Sequence, residues 1–386
     1  MAGADGAARA TIGPQSLLAR GLVGQERVRA FLASAVEQRR VGAAYLFVGP
    51  RGAGKLDAAY ALAQAVLCPH GGCGTCDDCV RVAHRTHPDV HLLQPMGAGS
   101  YVIEQIRDLI DDIALAPVRA ARKVYLIDDA DLLVDASANA LLKSLEEPPD
   151  TVTFVLLGTS RETILPTIAS RCQIVPFRPV SPDAALATLE AELTAPREIC
   201  RRAVGCCASA TQARGFVQSA ERQEARRLAL RCLEVLPDAD ALDVLHAAAA
   251  CVDAAKAPYE ALKAEQDSAY DEGAAWMSAS ALKQLTLRLK RELTARQRSG
   301  MMEVFGAQRS LLRDALCLAA ATGDEPYNDD FAACAHTYAD RLGLDLLPRA
   351  LDATDQACGR VRRGVSPQLA LETMLFDIKE MLTCQP

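Results

Sequence analysis

A chain of 386 residues is long enough for two or three domains, each burying its own core. Apolar residues make up 50% and charged residues 24%, which excludes a disordered polymer, and aromatics at 4% with abundant Ala and Leu favour helices over a β-sandwich. Lys and Arg number 42 against 49 Asp and Glu, a net charge of −7, so the chain as a whole lacks the positive field that draws a protein onto nucleic acid unaided.

The opening stretch MAGADGAARATIGPQSLLARG has no long apolar core behind a basic end, and no later segment reaches about 18 uninterrupted apolar residues. A cytoplasmic location with no membrane span is therefore expected. Short apolar runs follow at 43–49, 90–94, 123–129, 153–159 and 172–177, separated by stretches of helical period. Five such runs predict a five-stranded parallel sheet wrapped by helices. After Pro179 the pattern turns helical, beginning with a helix capped by Ser181. The spacing divides the chain into an α/β domain over 1–178, a small helical domain over 179–218 and an all-helical domain over 219–386. Breaks in the last are expected at Pro237, Gly273, Gly300 and the turn TGDEPYNDD (322–330).

The segment FVGPRGAGKL follows the first apolar run and precedes an Ala-rich helix, which places Gly49, Gly52, Gly54 and Lys55 in the strand-loop-helix context of a phosphate loop. Glycines let backbone N–H groups curl around phosphate, and Lys55 would reach the β and γ oxygens. The position that carries a Mg²⁺-binding hydroxyl is Leu56, whose alkyl chain offers no lone pair to a hard cation, so tight Mg–ATP binding by this chain is not expected. Two readings stay open: a loop that only joins strand to helix, and one that keeps residual nucleotide binding. Downstream, KVYLIDDAD runs into Asp128, where a second acidic group would hold the metal, and Asp129, where an ATPase of this type would carry Glu. Aspartate is one methylene shorter and its reach to an attacking water is correspondingly poor. The same acids, with Asp131, could instead solvate a strand end.

Fourteen cysteines with no export signal read as metal ligands plus reduced core thiols. Cys68, Cys73, Cys76 and Cys79 form C-x4-C-x2-C-x2-C, and four soft thiolates in one tight stretch suit a closed, structural Zn²⁺ site. His70, His84 and His87 are alternative ligands. Cys206, Cys207, Cys232, Cys251, Cys317 and Cys334 sit among Ala, Leu and Val and read as small buried hydrophobes.

Several stretches together carry a resemblance: LVGQERV (22–28), AYLFVGPRGAGK (44–55), the four-Cys insert, THPDV (86–90), IDDADLLVDASANALLKSLEEPP (127–149), TIASRC (167–172) and, near the end, VSPQLALETML (365–375). Over about residues 20–220 and again at the C-terminus, the chain resembles the delta-prime subunits of the bacterial DNA polymerase III clamp loader, an AAA+ family. LLKSLEEPP and SRC are the most specific carriers.

The resemblance implies an AAA+ P-loop domain, a three-helix lid and a helical collar domain. It implies that Arg171 is an arginine finger reaching the ATP site of a neighbouring subunit, where a permanently charged fork suits phosphate oxygens. Thr159 matches the position that senses γ-phosphate, and equally reads as a plain cap at a strand end. In the lid, Thr211 or Gln212 stands where active relatives have an arginine. The implied partners are tau/gamma and delta subunits in a hetero-pentamer, the sliding clamp, and primer-template DNA reached through the complex.

The alternatives are an active ATPase motor of the tau/gamma kind and a zinc-dependent nucleic-acid module. The last draws on the basic stretch KQLTLRLKRELTARQR (283–298), which reads equally as a solvated helix face.

Overall fold

The computed structural model describes residues 22, 24–95, 100–274 and 279–383, with only the backbone described for 259–274 and 279–297. The basic stretch at 283–298 thus lies almost wholly outside the described side chains. The chain forms two compact units, Met1–Ala185 and Leu186–Pro386.

The first unit runs α1 (Glu26–Glu37), β1 (Ala44–Val48), α2 (Lys55–Leu67), α3 (Asp77–Ala83), β2 (Val90–Leu93), α4 (Ile103–Ile113), β3 (Lys123–Ile127), α5 (Asp135–Glu146), β4 (Val152–Gly158), α6 (Pro166–Ala169) and β5 (Gln173–Pro176). All five strands are parallel, in the order β2-β3-β4-β1-β5. Every residue of β1, β3 and β4 is buried, the mark of strands covered on both faces, whereas β2 and β5 at the edges are partly exposed. Their side chains divide with period two. Tyr45, Phe47, Val124, Leu126, Val155 and Leu157 pack with α1 and α2. Leu46, Val48, Tyr125, Ile127, Phe154 and Leu156 pack with α4, α5 and α6.

The first helix of the lid segment, α7 (Pro182–Glu192), crosses into the second unit, and Ser181 Oγ accepts the Ala184 N–H at 3.2 Å as the capping pattern predicts. The second unit continues with α8 (Arg197–Cys206), α9 (Ala210–Val217), α10 (Ala220–Val235), α11 (Ala241–Ala274), α12 (Ala279–Ala319), α13 (Ala332–Arg362) and α14 (Pro367–Thr383). Leu189, Cys200, Ala203 and Phe216 share one apolar core with Leu230, Phe305, Tyr338 and Met374. The lid helices and the later helices therefore bury their apolar faces against each other. Cys206, Cys232, Cys251 and Cys334 are buried there as expected, whereas Cys207 and Cys317 are half-buried.

The turn at 322–330 is fastened by charge. Buried Asp314 accepts the backbone N–H groups of Tyr327 (3.1 Å) and Asn328 (2.9 Å), and buried Arg226 holds both Asp330 carboxylate oxygens at 2.8 Å. Close approach explains Gly306, where a Cβ would lie 2.1 Å from the Cys206 carbonyl oxygen. Gly300 does not break its helix. It is buried inside α12, where packing offsets the roughly 1 kcal/mol that glycine costs a helix. The break that composition did not announce is Gly343, whose φ of 57° and ψ of −168° kink α13.

Candidate functional site

Ligands of parallel α/β sheets bind beyond the carboxyl ends of the strands, and the candidate phosphate site lies there. The loop leaving β1 passes so close to the chain after β5 that a Cβ at Gly49 would sit 2.5 Å from the Phe177 carbonyl oxygen. Gly54, at φ 79°, ends the loop as the N-cap of α2, a left-handed conformation that an L side chain rarely adopts. Gln25, which is buried, donates to the carbonyls of Ala53 (3.2 Å) and Arg178 (2.6 Å) and accepts the Arg178 N–H at 3.2 Å. Its amide clips the phosphate loop to the strand exit.

Within this shape the charged groups satisfy one another. The Lys55 ammonium donates to the Gly49 carbonyl and, at 3.0 Å, to that of Pro50. Burial pushes Lys55 below its ordinary range, Asp131 pulls it back up, and Arg51 adds to the lowering. Leu56 is half-buried and packs on the apolar layer beneath α2. Asp128 accepts from Gln94 at 3.1 Å and from the Asp129 N–H at 3.0 Å.

Asp129 adopts left-handed φ and ψ of 45° and 51°, and its carboxylate lies 3.3 Å from Arg51. Burial, then the neighbouring Asp128, holds the Asp129 carboxyl above the usual carboxylate range, against the pull of Arg51. Thr159, at the exit of β4 between the β1 and β3 ends, gives its N–H and hydroxyl to Asp131 at 3.0–3.1 Å. The structure thus gathers Lys55, Asp128 and Asp129 into one electrostatic group, in which Arg51 and Asp131, not singled out from the sequence as functional, supply the internal partners.

Arg171 follows α6, and its bonds run elsewhere. Nε donates to Glu146 Oε1 at 2.6 Å, Nη2 to the same oxygen, and Nη1 to the Thr167 carbonyl at 2.8 Å. Its side chain is 31% exposed. In the second unit, Gln212 caps its own helix: its N–H meets Ser209 Oγ at 3.3 Å, and its Oε1 accepts the Ala208 N–H at 3.1 Å.

The four cysteines converge as their spacing predicts. Cys68 Sγ lies 3.6 Å from Cys73 Sγ and 3.7 Å from Cys76 Sγ, Cys73 Sγ lies 3.9 Å from Cys79 Sγ, and all four sulfurs fall within 4.8 Å of one another. Zn–S bonds of about 2.3 Å at tetrahedral angles place sulfurs about 3.8 Å apart, so this donor set fits Zn²⁺. Backbone N–H groups of His70, Cys73, Gly74, Cys76 and Cys79 point at the sulfurs at 3.3–3.4 Å and favour thiolates.

Among the described residues no histidine joins the cluster. His87 is fully buried, its Nδ1 accepting the Asp89 N–H at 3.1 Å and its Nε2 lying 3.4 Å from Asp78. Asp89 of THPDV accepts the N–H groups of Val118, Arg119 and Ala120 at 2.6–2.8 Å, and Arg119 reaches back to Asp77 and Asp78 on α3.

With this geometry in place, residues 24–181 match the family model described as DNA polymerase III, delta subunit. This region is similar to clamp-loader subunits of DNA polymerase III. It is 41% identical over 163 residues to the delta-prime subunit of Bacillus subtilis, covering 42% of this chain and 49% of that protein. It is 38% identical over 165 residues to the gamma/tau subunit of Mycobacterium tuberculosis, covering 42% and 28%. The chain thus spans half or less of the length of these relatives. Among solved structures, a gamma subunit-related protein of Thermotoga maritima aligns over 91% of this chain and 99% of its own, at 14% identity and a TM-score of 0.44. No helix among the described residues is long and apolar enough to cross a membrane.

Proposed function

We propose that this chain is a delta-prime-like clamp-loader subunit, a stator that lends Arg171 to the ATP site of a neighbouring subunit and does not itself turn over ATP. The observation that carries this reading is Leu56, an apolar side chain packed beneath α2 at the position where a Mg²⁺-binding hydroxyl is needed. Asp129, one methylene short and paired with Arg51, supports it. So does the absence of an arginine at the lid position taken by Thr211 or Gln212.

The fuel-burning neighbour would be of tau/gamma type, and the assembly, with delta, a hetero-pentamer that opens the sliding clamp on primer-template DNA. Zinc held by Cys68, Cys73, Cys76 and Cys79 would be structural, since four thiolates close its shell. The motor alternative rests on the similarity to gamma/tau proteins, and a single measurement separates the two. Steady-state ATP turnover is compared for this chain alone and mixed with its cognate tau/gamma and delta subunits. The stator reading expects none alone, and stimulation in the mixture that Arg171→Ala lowers by up to roughly 10³-fold at the affected site. Robust turnover alone, indifferent to Arg171, makes the chain a motor.

A further inference from the structure

The two stretches most specific to the family, LLKSLEEPP and SRC, meet at one ion pair. Glu146 is the last residue of α5, where the helix dipole disfavours a carboxylate, so its placement there is not a local preference of the helix. Pro148 and Pro149 follow directly, and Glu147, ahead of the first proline, leaves the helix at φ −127° and ψ 62°. The two prolines fix φ at 148 and 149. Across from it, Arg171 gives Nε and one Nη2 hydrogen to a single Glu146 oxygen and one Nη1 hydrogen to the Thr167 carbonyl. A guanidinium has five N–H donors. Nη1 also meets Ser170 Oγ at 3.4 Å, the weakest contact of the set. Nε and Nη2 share the side edge of the guanidinium, so the second Nη2 hydrogen belongs to its terminal fork.

We infer that Glu146 is the positioning residue of the finger: it holds the side edge of Arg171 so that the terminal fork is oriented before a phosphate arrives. The inference rests on the finger reading of Arg171 proposed above. An arginine free to rotate must be ordered each time the interface engages, and a held one is not. Because the pair is partly exposed, its removal should leave the fold intact.

The test is ATP turnover of the complex assembled with cognate tau/gamma and delta subunits, at saturating ATP and saturating subunit, for native chain, Glu146→Ala, Glu146→Gln, Arg171→Ala and the Glu146→Ala/Arg171→Ala double variant. Thermal melting of each free chain checks folding. The expected result is a loss of about threefold to thirtyfold in kcat for Glu146→Ala with KM for ATP unchanged, the upper end set by the rotamer freedom that an arginine regains. Glu146→Gln keeps an acceptor and recovers part of the loss. The double variant matches Arg171→Ala alone, because Glu146 acts only through Arg171. Turnover for Glu146→Ala equal to or above native, or losses that add in the double variant, overturn the inference while the finger stands. Indifference to Arg171→Ala overturns the finger reading and this inference with it.

Discussion

The cysteine insert and the phosphate loop lie next to each other in the chain, joined by α2, and they have kept opposite things. In the insert every donor remains: four sulfurs at tetrahedral spacing, five backbone N–H groups aimed at them, and Arg119 fastening α3 to the body of the unit. In the glycine loop Gly49 lies against Phe177 and Gly54 caps α2, while position 56 carries the alkyl chain of leucine and the charges pair internally. A donor set that closes on its own ion needs nothing from outside. A Mg²⁺–nucleotide site of this kind calls for a hydroxyl where Leu56 stands.

The widest separation between the two comes from removing metal. Chelation, or Cys73→Ser, should release one zinc per chain and forfeit a binding free energy on the order of 10–16 kcal/mol. Residues 68–79 then lose amide protection in hydrogen exchange while the phosphate loop keeps its own. If the purified chain holds no metal and the insert is protected regardless, the cluster is not a zinc site.

Restoring the missing hydroxyl closes the gap from the other side. Leu56→Thr should raise the Mg²⁺-dependent part of ATP affinity by about tenfold to a hundredfold, as for a charge-assisted contact, read by calorimetry with and without Mg²⁺. No Mg²⁺-dependent gain would mean that the internal contacts of Lys55 with the Gly49 and Pro50 carbonyls and of Asp129 with Arg51, rather than position 56, close the site. Adding Asp129→Glu should then bring measurable turnover.

The smallest effect is electrostatic. Because burial holds the Asp129 carboxyl above its ordinary range, its ionised form opposes folding at neutral pH, and that cost vanishes as pH falls through the raised value. Asp129→Asn should therefore raise the melting temperature of the free chain by about 2 °C at pH 7, with the gain shrinking as the pH is lowered into the carboxylate range. A variant that melts lower at pH 7 would show that the Arg51 pairing outweighs burial.

The strands were legible because burial on both faces leaves continuous apolar runs, and all five lie where those runs are. The cysteine cluster was legible because its four sulfurs are close in sequence, so spacing alone nearly determines their geometry. Gly300 misled because a glycine's intrinsic cost says nothing of the packing that offsets it. Gly343 passed unnoticed because one glycine between leucines leaves no mark on a helical pattern. Glu146 stood in plain view within LLKSLEEPP, yet its partner lies 25 residues on, and no local period links them.

The sequence by itself determined the strand-loop-helix with its glycines and Lys55, the convergence of the four cysteines, the apolar residue at position 56 and the helical second half. Each of these follows from residue type and short-range spacing. Tertiary structure alone decided which charges meet: Arg51 with Asp129, Thr159 with Asp131, Asp89 with the turn at 118–120, and Arg171 with Glu146. Those pairings depend on the order in which parallel strands assemble, and residues far apart in the chain become neighbours only when the sheet closes.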